Sequence, residues 1–334
     1  MATRREFMAW AGAAAAAGVF MPRIGLGGLA TRADRILGWE EVRPGIFAAV
    51  HARMGGNVLA CVGKGGVLVI DTKYPFVGPA LRADALALAG GGVPVTLINT
   101  HHHGDHTGGN VGFAGQGPIM AHRNAADRIV AQVDRFKEWA ANGPAQAGRI
   151  DGANRELQRV AQELAARADD LAADDWKPSE ELGDSGPLPF EGVEGEVRHF
   201  GAGHTDNDLV IRFAEANVVH TGDLVFNALH PYFDPDGGVT ARGWVRSLRG
   251  ARELCDEKTV VVPGHGPVGD RSIIDGQIRY LEQLIEAVQG EIDAGVTREQ
   301  ALEKEYPFMV GLGFAQVRGR AIGAVYDELS KPQG

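Results

Sequence analysis

The feature that most constrains this chain is the run His101-His102-His103-Gly104-Asp105-His106, placed directly after an apolar segment. Val93–Asn99 is almost continuously apolar and ends at Thr100. It reads as a buried strand whose C-terminal end delivers the run. Four of the chain's 11 histidines fall within these six positions. On extended backbone, residues i and i+2 point the same way, so His101 and His103 converge on one point while His102 faces elsewhere. Asp105 and His106 follow the Gly104 turn and can address a second point nearby. Packed imidazoles repel one another when protonated and are costly to bury without partners, so shared cations are the role that suits them.

Three further candidates sit in loops after apolar runs, each directly preceded by glycine: His204 in Gly201-Ala202-Gly203-His204-Thr205, Asp223 in Thr221-Gly222-Asp223, and His265 in Pro263-Gly264-His265-Gly266. Glycine there lets the chain turn and brings the side chain onto one edge of a sheet. Imidazole and carboxylate donors suit Zn, Fe or Mn rather than Cu(I).

Around these positions the chain alternates strands and helices. Ile46–Val50, Asn57–Val62 and Val67–Asp71 read as a meander punctuated by Gly-rich turns. A helix is expected over Pro79–Leu88, stopped by Gly90-Gly91-Gly92, and another over Asn124–Val133. Residues 134–175, rich in Arg, Glu, Gln and Ala with a break at Asn142-Gly143-Pro144, read as an inserted helical hairpin that either covers the site or packs on an edge. Strands resume at Val193–Phe200, Leu209–Phe213 and Val218–Thr221. A Pro-, Gly- and Asp-rich loop follows over Asn227–Val239, then the helix Arg242–Cys255, the strand Thr259–Pro263, the helix Ser272–Glu291 and a helical tail to Leu329. Two halves of similar type predict an α/β fold, a four-layer αββα sandwich.

The net charge of -10 argues against nucleic acid or an anionic membrane surface as a partner. The two cysteines, Cys61 and Cys255, form no CxxC pair and read as small core residues, a single bridge staying open. At the N-terminus, Thr3-Arg4-Arg5-Glu6-Phe7-Met8 followed by the apolar stretch Ala9–Phe20 resembles a twin-arginine export signal, with a small-residue cleavage site around Gly28-Leu29-Ala30. The expected organisation is a signal peptide over 1–32 and a catalytic domain over 33–334. It implies the export machinery as a partner, a periplasmic or secreted location and no membrane span after cleavage.

The combination of His-x-His-x-Asp-His with later His, Asp and His resembles the metallo-β-lactamase fold superfamily over roughly Trp39 to Val288. The resemblance implies two Zn(2+) ions, with Fe or Mn as alternatives. One would be held by His101, His103 and His204 and the other by Asp105, His106 and His265, with Asp223 bridging both. It implies a metal-bound hydroxide as nucleophile, with Asp105 orienting it, and Asp71 bracing the histidine loop. The loop after Asp223 should rim the site, which makes Phe226, Asn227, His230 and Tyr232 candidate substrate contacts. His102 and Asn207 sit beside ligands in supporting or mobile roles, and His220 reads as core. Where the best-known β-lactamases carry a bridging-position Cys and a Lys three residues later, this chain has Asp223 and Phe226. The expected activity is therefore cleavage of a small ester, amide, lactone or lactam, the alternatives being a β-lactamase proper or an iron oxidoreductase on the same fold.

Overall fold

The computed structural model describes residues 36–51, 53–150 and 155–331. The expected export signal lies outside them. Two sheets form the centre. The first runs β1 (Trp39–Arg43), β2 (Ile46–Ala49), β3 (Val58–Gly63), β4 (Gly66–Ile70), β5 (Val95–Ile98), β6 (Ile119–His122) and β7 (Glu180–Leu182), in that spatial order. β1 to β4 pair antiparallel and β4 to β7 parallel. The second comprises β8 (Ser185–Pro187), β9 (Gly195–Arg198), β10 (Val210–Phe213), β11 (Val218–Phe226) and β12 (Val260–His265), antiparallel except for the parallel pair β11–β12.

The two-residue alternation of side chains decides what each face buries. In β3 and β4, Leu59, Cys61, Leu68 and Ile70 face the other sheet and meet Val197, Ile211, Phe213, Val218 and Val262. The alternate set, Val58, Ala60, Val67 and Val69, packs on Ala80, Leu81 and Ala85 of helix α1 (Gly78–Leu88). Across the molecule, Val219, Val261 and Leu224 pack against helices α7 (Ala241–Glu253), α8 (Ser272–Asp293) and α10 (Arg318–Leu329), through Trp244, Leu248, Leu281, Leu284 and Ile322. The result is the αββα sandwich. Cys61 lies in the core between the sheets and Cys255 in the outer core, and both are free thiols. Among the described residues, no helix is long and apolar enough to cross a membrane.

The insertion consists of α4 (Val133–Ala141), α5 (Gly143–Ala147) and α6 (Arg155–Ala166), preceded by the short α3 (Ala126–Val130). The break at Asn142-Gly143-Pro144 is the α4–α5 junction. The insertion lies against the histidine run: a Cβ at Gly104 would stand 2.7 Å from the Trp139 ring and 2.8 Å from the Phe136 ring, both on α4, and residues flanking the insertion hold the same loop. Gln132 Nε2 donates to the His102 carbonyl at 2.7 Å, and the Trp176 indole donates to the Gly108 carbonyl at 2.7 Å. Trp139 meets Tyr74 edge-on at 5.4 Å, beside the same loop.

Four strands escape the sequence reading. β1, β7 and β8 are short and largely exposed, and β8 contains a proline, so they lack the apolar alternation that marks a strand. β6 is four residues long and wholly buried, which periodicity cannot separate from a loop. The expected helix over 124–133 divides into α3 and the start of α4. The expected helical tail is also divided. Between α9 (Arg298–Glu303) and α10 runs a strap, 304–317, with only single 3-10 turns. Gly313 donates to the Ala228 carbonyl at 3.0 Å and accepts from the His230 N–H at 2.9 Å, which fixes the strap along the loop after β11. β11 itself continues past Thr221 to Phe226, so Asp223 lies inside a strand and not in a loop after one.

Candidate metal centre

The donors come from both sheets and meet at one edge of the sandwich. β5 ends at Ile98, and the chain then bends through Thr100–His102 before His103, whose backbone is extended. Gly104–Thr107 then forms a single helical turn, α2, that carries Asp105 and His106. His204 lies in the loop before β10, Asp223 in β11, and His265 at the end of β12. Backbone bonds stitch the sheets together here. The Leu209 N–H donates to the Thr100 carbonyl at 2.7 Å and the Asn57 N–H to the Gly264 carbonyl at 2.7 Å, and within the first sheet's edge the Gly56 N–H donates to the Asp105 carbonyl at 3.0 Å. A Cβ at Gly264 would stand 1.9 Å from Asp223 Oδ1, so only glycine leaves room for that carboxylate.

The His101 and His103 rings come together with centroids 4.8 Å apart, across a bend and not along a strand, and His102 is 6.4 Å from His101 and 4.7 Å from His103. His101, His103, His204 and Asp223 present donor atoms within 4.8 Å of one another, and so do Asp105, His106 and His265. Asp223 faces both groups. Its Oδ2 is 3.6 Å from His101 Nε2 and 3.5 Å from His204 Nε2. Its Oδ1 is 3.1 Å from His106 Nε2 and 3.5 Å from His265 Nε2. Asp105 Oδ2 closes the second group at 3.1 Å from His265 Nε2. Each group has three donors of its own plus one oxygen of a shared carboxylate, a set that fits four-coordinate zinc. The atoms themselves test that fit: His101 Nε2, Asp105 Oδ2 and Asp223 Oδ1 are buried without a hydrogen-bond partner. Buried polar atoms of that kind are rare unless something else, here a cation, satisfies them.

Asp71 performs the bracing role expected of it. Its Oδ2 accepts from His106 Nδ1 at 2.7 Å and from the Thr100 hydroxyl at 2.7 Å, and its Oδ1 from the Thr100 N–H at 2.7 Å. That bond fixes the His106 tautomer and turns Nε2 toward Asp223. The two groups differ electrostatically. Burial, aided by neighbouring histidines, holds His101 well below the ordinary histidine value and pushes His204 down to about 3. Burial opposes charge on His106 and His265 too. There the carboxylates of Asp223, Asp71 and Asp105 outweigh it, so His106 stands well above the ordinary value and His265 at about 9. In the metal-free protein protons are therefore favoured on His106 and His265 and disfavoured on His101 and His204.

The four proposed rim residues divide. The Phe226 ring stacks on His265 at 5.1 Å and 17°, and Tyr232 meets His103 edge-on at 5.7 Å. Asn227 is occupied with the backbone of residues 265 and 267. His230 is buried and hydrogen-bonds through Nδ1 to the Tyr280 hydroxyl at 3.0 Å, on α8. Asn207 Nδ2 donates to His102 Nδ1 at 3.0 Å, and His220 is fully buried with Nδ1 accepting from the Gly222 N–H.

Several contributors have no sequence signal as single residues. Asp234 Oδ2 lies 2.9 Å from His103 Nε2. Lys73 is completely buried and donates to the Gly56 carbonyl at 2.6 Å. Burial pushes its ammonium down to about 7 against the pull of Asp105 and Asp71. Phe314, in the strap, packs edge-on to His265 at 5.6 Å from a left-handed backbone with φ +59°. A strained non-glycine residue of this kind is a pointer that only a structure supplies.

Comparison with known proteins agrees with this architecture. The family model described as Metallo-beta-lactamase superfamily matches residues 52–265, well over half of the chain. Among curated proteins, the chain is similar to a metallo-beta-lactamase type 2 of Bacillus cereus, 28% identical over 87 residues, covering 26% of this chain and 34% of that protein. It is also similar to a hydroxyacylglutathione hydrolase of Nitrosococcus oceani, 38% identical over 88 residues, covering 25% of this chain and 31% of that protein. The match thus spans about a third of each relative's length. Among solved structures, the DIM-1 metallo-beta-lactamase superposes with a TM-score of 0.52 at 19% identity, over 74% of this chain and 97% of that one. The sec-alkylsulfatase Pisa1 of Pseudomonas sp. superposes with 0.59 at 17% identity, over 87% of this chain and 50% of that one. At such identities these two bear on the fold alone. The family match, the sandwich and the paired donor groups lead to one conclusion: this chain belongs to the Metallo-beta-lactamase superfamily.

Proposed function

We propose that this chain is a dinuclear metal-dependent hydrolase, zinc being the ion its donors suit best, that cleaves a small ester, amide, lactone or lactam after twin-arginine export to the periplasm or beyond. The observation that carries the reading is the Asp223 carboxylate, with one oxygen toward His101 and His204 and the other toward His106 and His265. One ion would be held by His101, His103, His204 and Asp223, the other by Asp105, His106, His265 and Asp223. Bound there, such a pair supplies Lewis acidity and a water ionised near neutral pH.

The remaining work belongs to side chains. Asp105 Oδ2 is buried and faces His265 Nε2 at 3.1 Å, so once a cation replaces the His265 proton it can orient the attacking water as well as ligate. Asp71 holds the proton of His106 on Nδ1 and keeps Nε2 toward the site. Phe226 and Phe314 flank His265, and Tyr232 flanks His103. These apolar rings lower the polarity beside the donors, which strengthens electrostatic interactions there. With Phe226 three residues after Asp223, that position offers no cation to grip a substrate carboxylate, which favours a hydrolase of wider scope over a dedicated β-lactamase.

The test is a panel of nitrocefin, lactones, carboxylic esters, thioesters, phosphodiesters and sulfate esters, offered to zinc-loaded and chelator-treated protein. Turnover of an ester or lactone that chelation abolishes and zinc restores is expected. Hydrolysis of nitrocefin alone would replace this reading with a β-lactamase. Stoichiometric iron with oxygen consumption and no hydrolysis would replace it with an oxidoreductase. Fractionation of expressing cells tests export, and a chain confined to the cytoplasm would remove that part.

A further inference from the structure

Both ring nitrogens of His103 are engaged. Its Nδ1 faces His204 Nε2 at 2.9 Å, the direction of the first donor group, and its Nε2 faces Asp234 Oδ2 at 2.9 Å. A carboxylate cannot donate, so the proton of the second contact sits on His103 Nε2 and Nδ1 is left with its lone pair toward the group. The Asp234 carboxylate is also 3.7 Å from His102 Nε2.

Asp234 is not a stray loop residue. Phe233 before it is buried against Trp244 at 5.1 Å. After it, Pro235–Gly237 make a turn in which the Gly237 N–H donates to the Asp234 carbonyl at 3.0 Å. Arg128 of α3 donates to the Asp236 carbonyl at 2.8 Å and pairs with Asp206, whose N–H donates to the Gly237 carbonyl at 2.8 Å. A Cβ at Gly237 would stand 2.6 Å from Asp234 Oδ2, so glycine is what lets the carboxylate lie where it does. The loop after β11 is thus built to hold one carboxylate against one imidazole nitrogen, and the same loop carries Tyr232 over His103.

We propose that Asp234 is the positioning residue of the first metal site: it fixes the His103 tautomer that presents Nδ1 and ties occupancy of that site to the seating of loop 227–239. The inference rests on the dinuclear reading above. Partners that orient a ligating histidine typically contribute 10- to 100-fold to metal affinity. The effect here is confined to one of two sites, because Asp71, and not Asp234, braces His106 in the other. Coupling is reciprocal, so filling the first site must also order the loop.

The experiment is titration of the metal-free, full-length protein with Co(II), read by visible absorption and by competition with a chromophoric chelator. For the unaltered protein two equivalents are expected. Asp234→Ala should weaken one of the two binding constants about 10- to 100-fold and leave the other within about 2-fold. Asp234→Glu should recover part of the loss, and Gly237→Ala, which displaces the carboxylate without removing it, should shift the same constant in the same direction. Hydrogen exchange in 227–239 should slow on Co(II) loading of the unaltered protein and not of Asp234→Ala. Unchanged constants in Asp234→Ala would overturn the proposal. So would an equal fall in both with a lowered metal-free Tm, which marks damage to the fold. A third equivalent present in the unaltered protein and lost in the variant would make Asp234 a ligand and overturn it as well. Fewer than two equivalents in the unaltered protein would instead remove the dinuclear reading on which it stands.

Discussion

Asp223→Ala is expected to lower kcat/KM by about 10³-fold or more at saturating metal, the largest loss from any single substitution in this protein. The reason is geometric. Every other donor faces one group, whereas the Asp223 oxygens face His101 and His204 on one side and His106 and His265 on the other. A bound cation is worth several kcal/mol to a transition state, and about 4 kcal/mol is roughly 10³ in rate. Removing a ligand common to both sites touches both contributions at once. The substitution also leaves His106 and His265 without their shared carboxylate, and breaking a buried pair costs about 3–5 kcal/mol of stability. Circular dichroism and the metal content of the variant must accompany the kinetics. A folded variant that keeps two equivalents and near-normal kcat/KM would contradict the role assigned to Asp223. Asn227→Ala should change kcat/KM little, since that side chain is engaged with the Pro267 carbonyl.

The second large effect is on stability against pH. In unfolded chains histidine titrates near 6.5. His106 and His265 are raised in the fold, His265 to about 9. Their contribution is complete below about pH 6.5 and is lost as pH climbs through about 9. His101, His204 and His220 are lowered, mainly by burial, His204 to about 3 and His220 to about 4. Their neutral forms are favoured above about pH 6.5, and that advantage is lost as pH falls toward these values. Taken by themselves these histidines favour the metal-free fold most near pH 6.5, while buried Lys73, lowered to about 7, and buried Asp208, raised to about 7, work in the opposite sense above and below that pH. Metal must displace the protons on His106 and His265, so loading at neutral pH should release about two protons and stabilise the fold more as pH rises. Calorimetry in buffers of different ionisation enthalpy measures the release, and thermal melts with and without chelator measure the rest. A His265 imidazole that titrates below pH 6.5 in the metal-free protein, read by NMR, would contradict the charge assignment.

How much of this was legible before the structure follows from how local each signal is. The donor cluster could be read because His204, Asp223 and His265 each follow a glycine near an apolar run and four histidines crowd into six positions, although Asp223 lies inside β11 and the chain bends at His101 and His102. The bracing Asp71 follows from the resemblance, and the structure adds its three bonds. β3, β4, β5 and the long α8 were legible because burial on one or both faces imposes a period or a run. β1, β7 and β8 were not, being short edge strands that owe their conformation to neighbours. Asp234 could not be found from sequence. It acts 131 positions from His103, and in a loop rich in Asp, Pro and Gly nothing marks it out. Phe314 and Lys73 are of the same kind. Both hold left-handed backbone that propensity argues against, and only packing around the centre supports them. The insertion was recognised by composition, but its position over the histidine run depends on Gln132, Trp139 and Trp176, three side chains with no common pattern.

The central claim is that one carboxylate joins two ions in a single centre. Its most direct test is elemental analysis of the full-length protein, stripped, reloaded with zinc and freed of excess by gel filtration. Two equivalents per chain are expected, falling to one or fewer in Asp223→Ala. Saturation of the unaltered protein at a single equivalent, or two equivalents that survive the loss of Asp223, would contradict it.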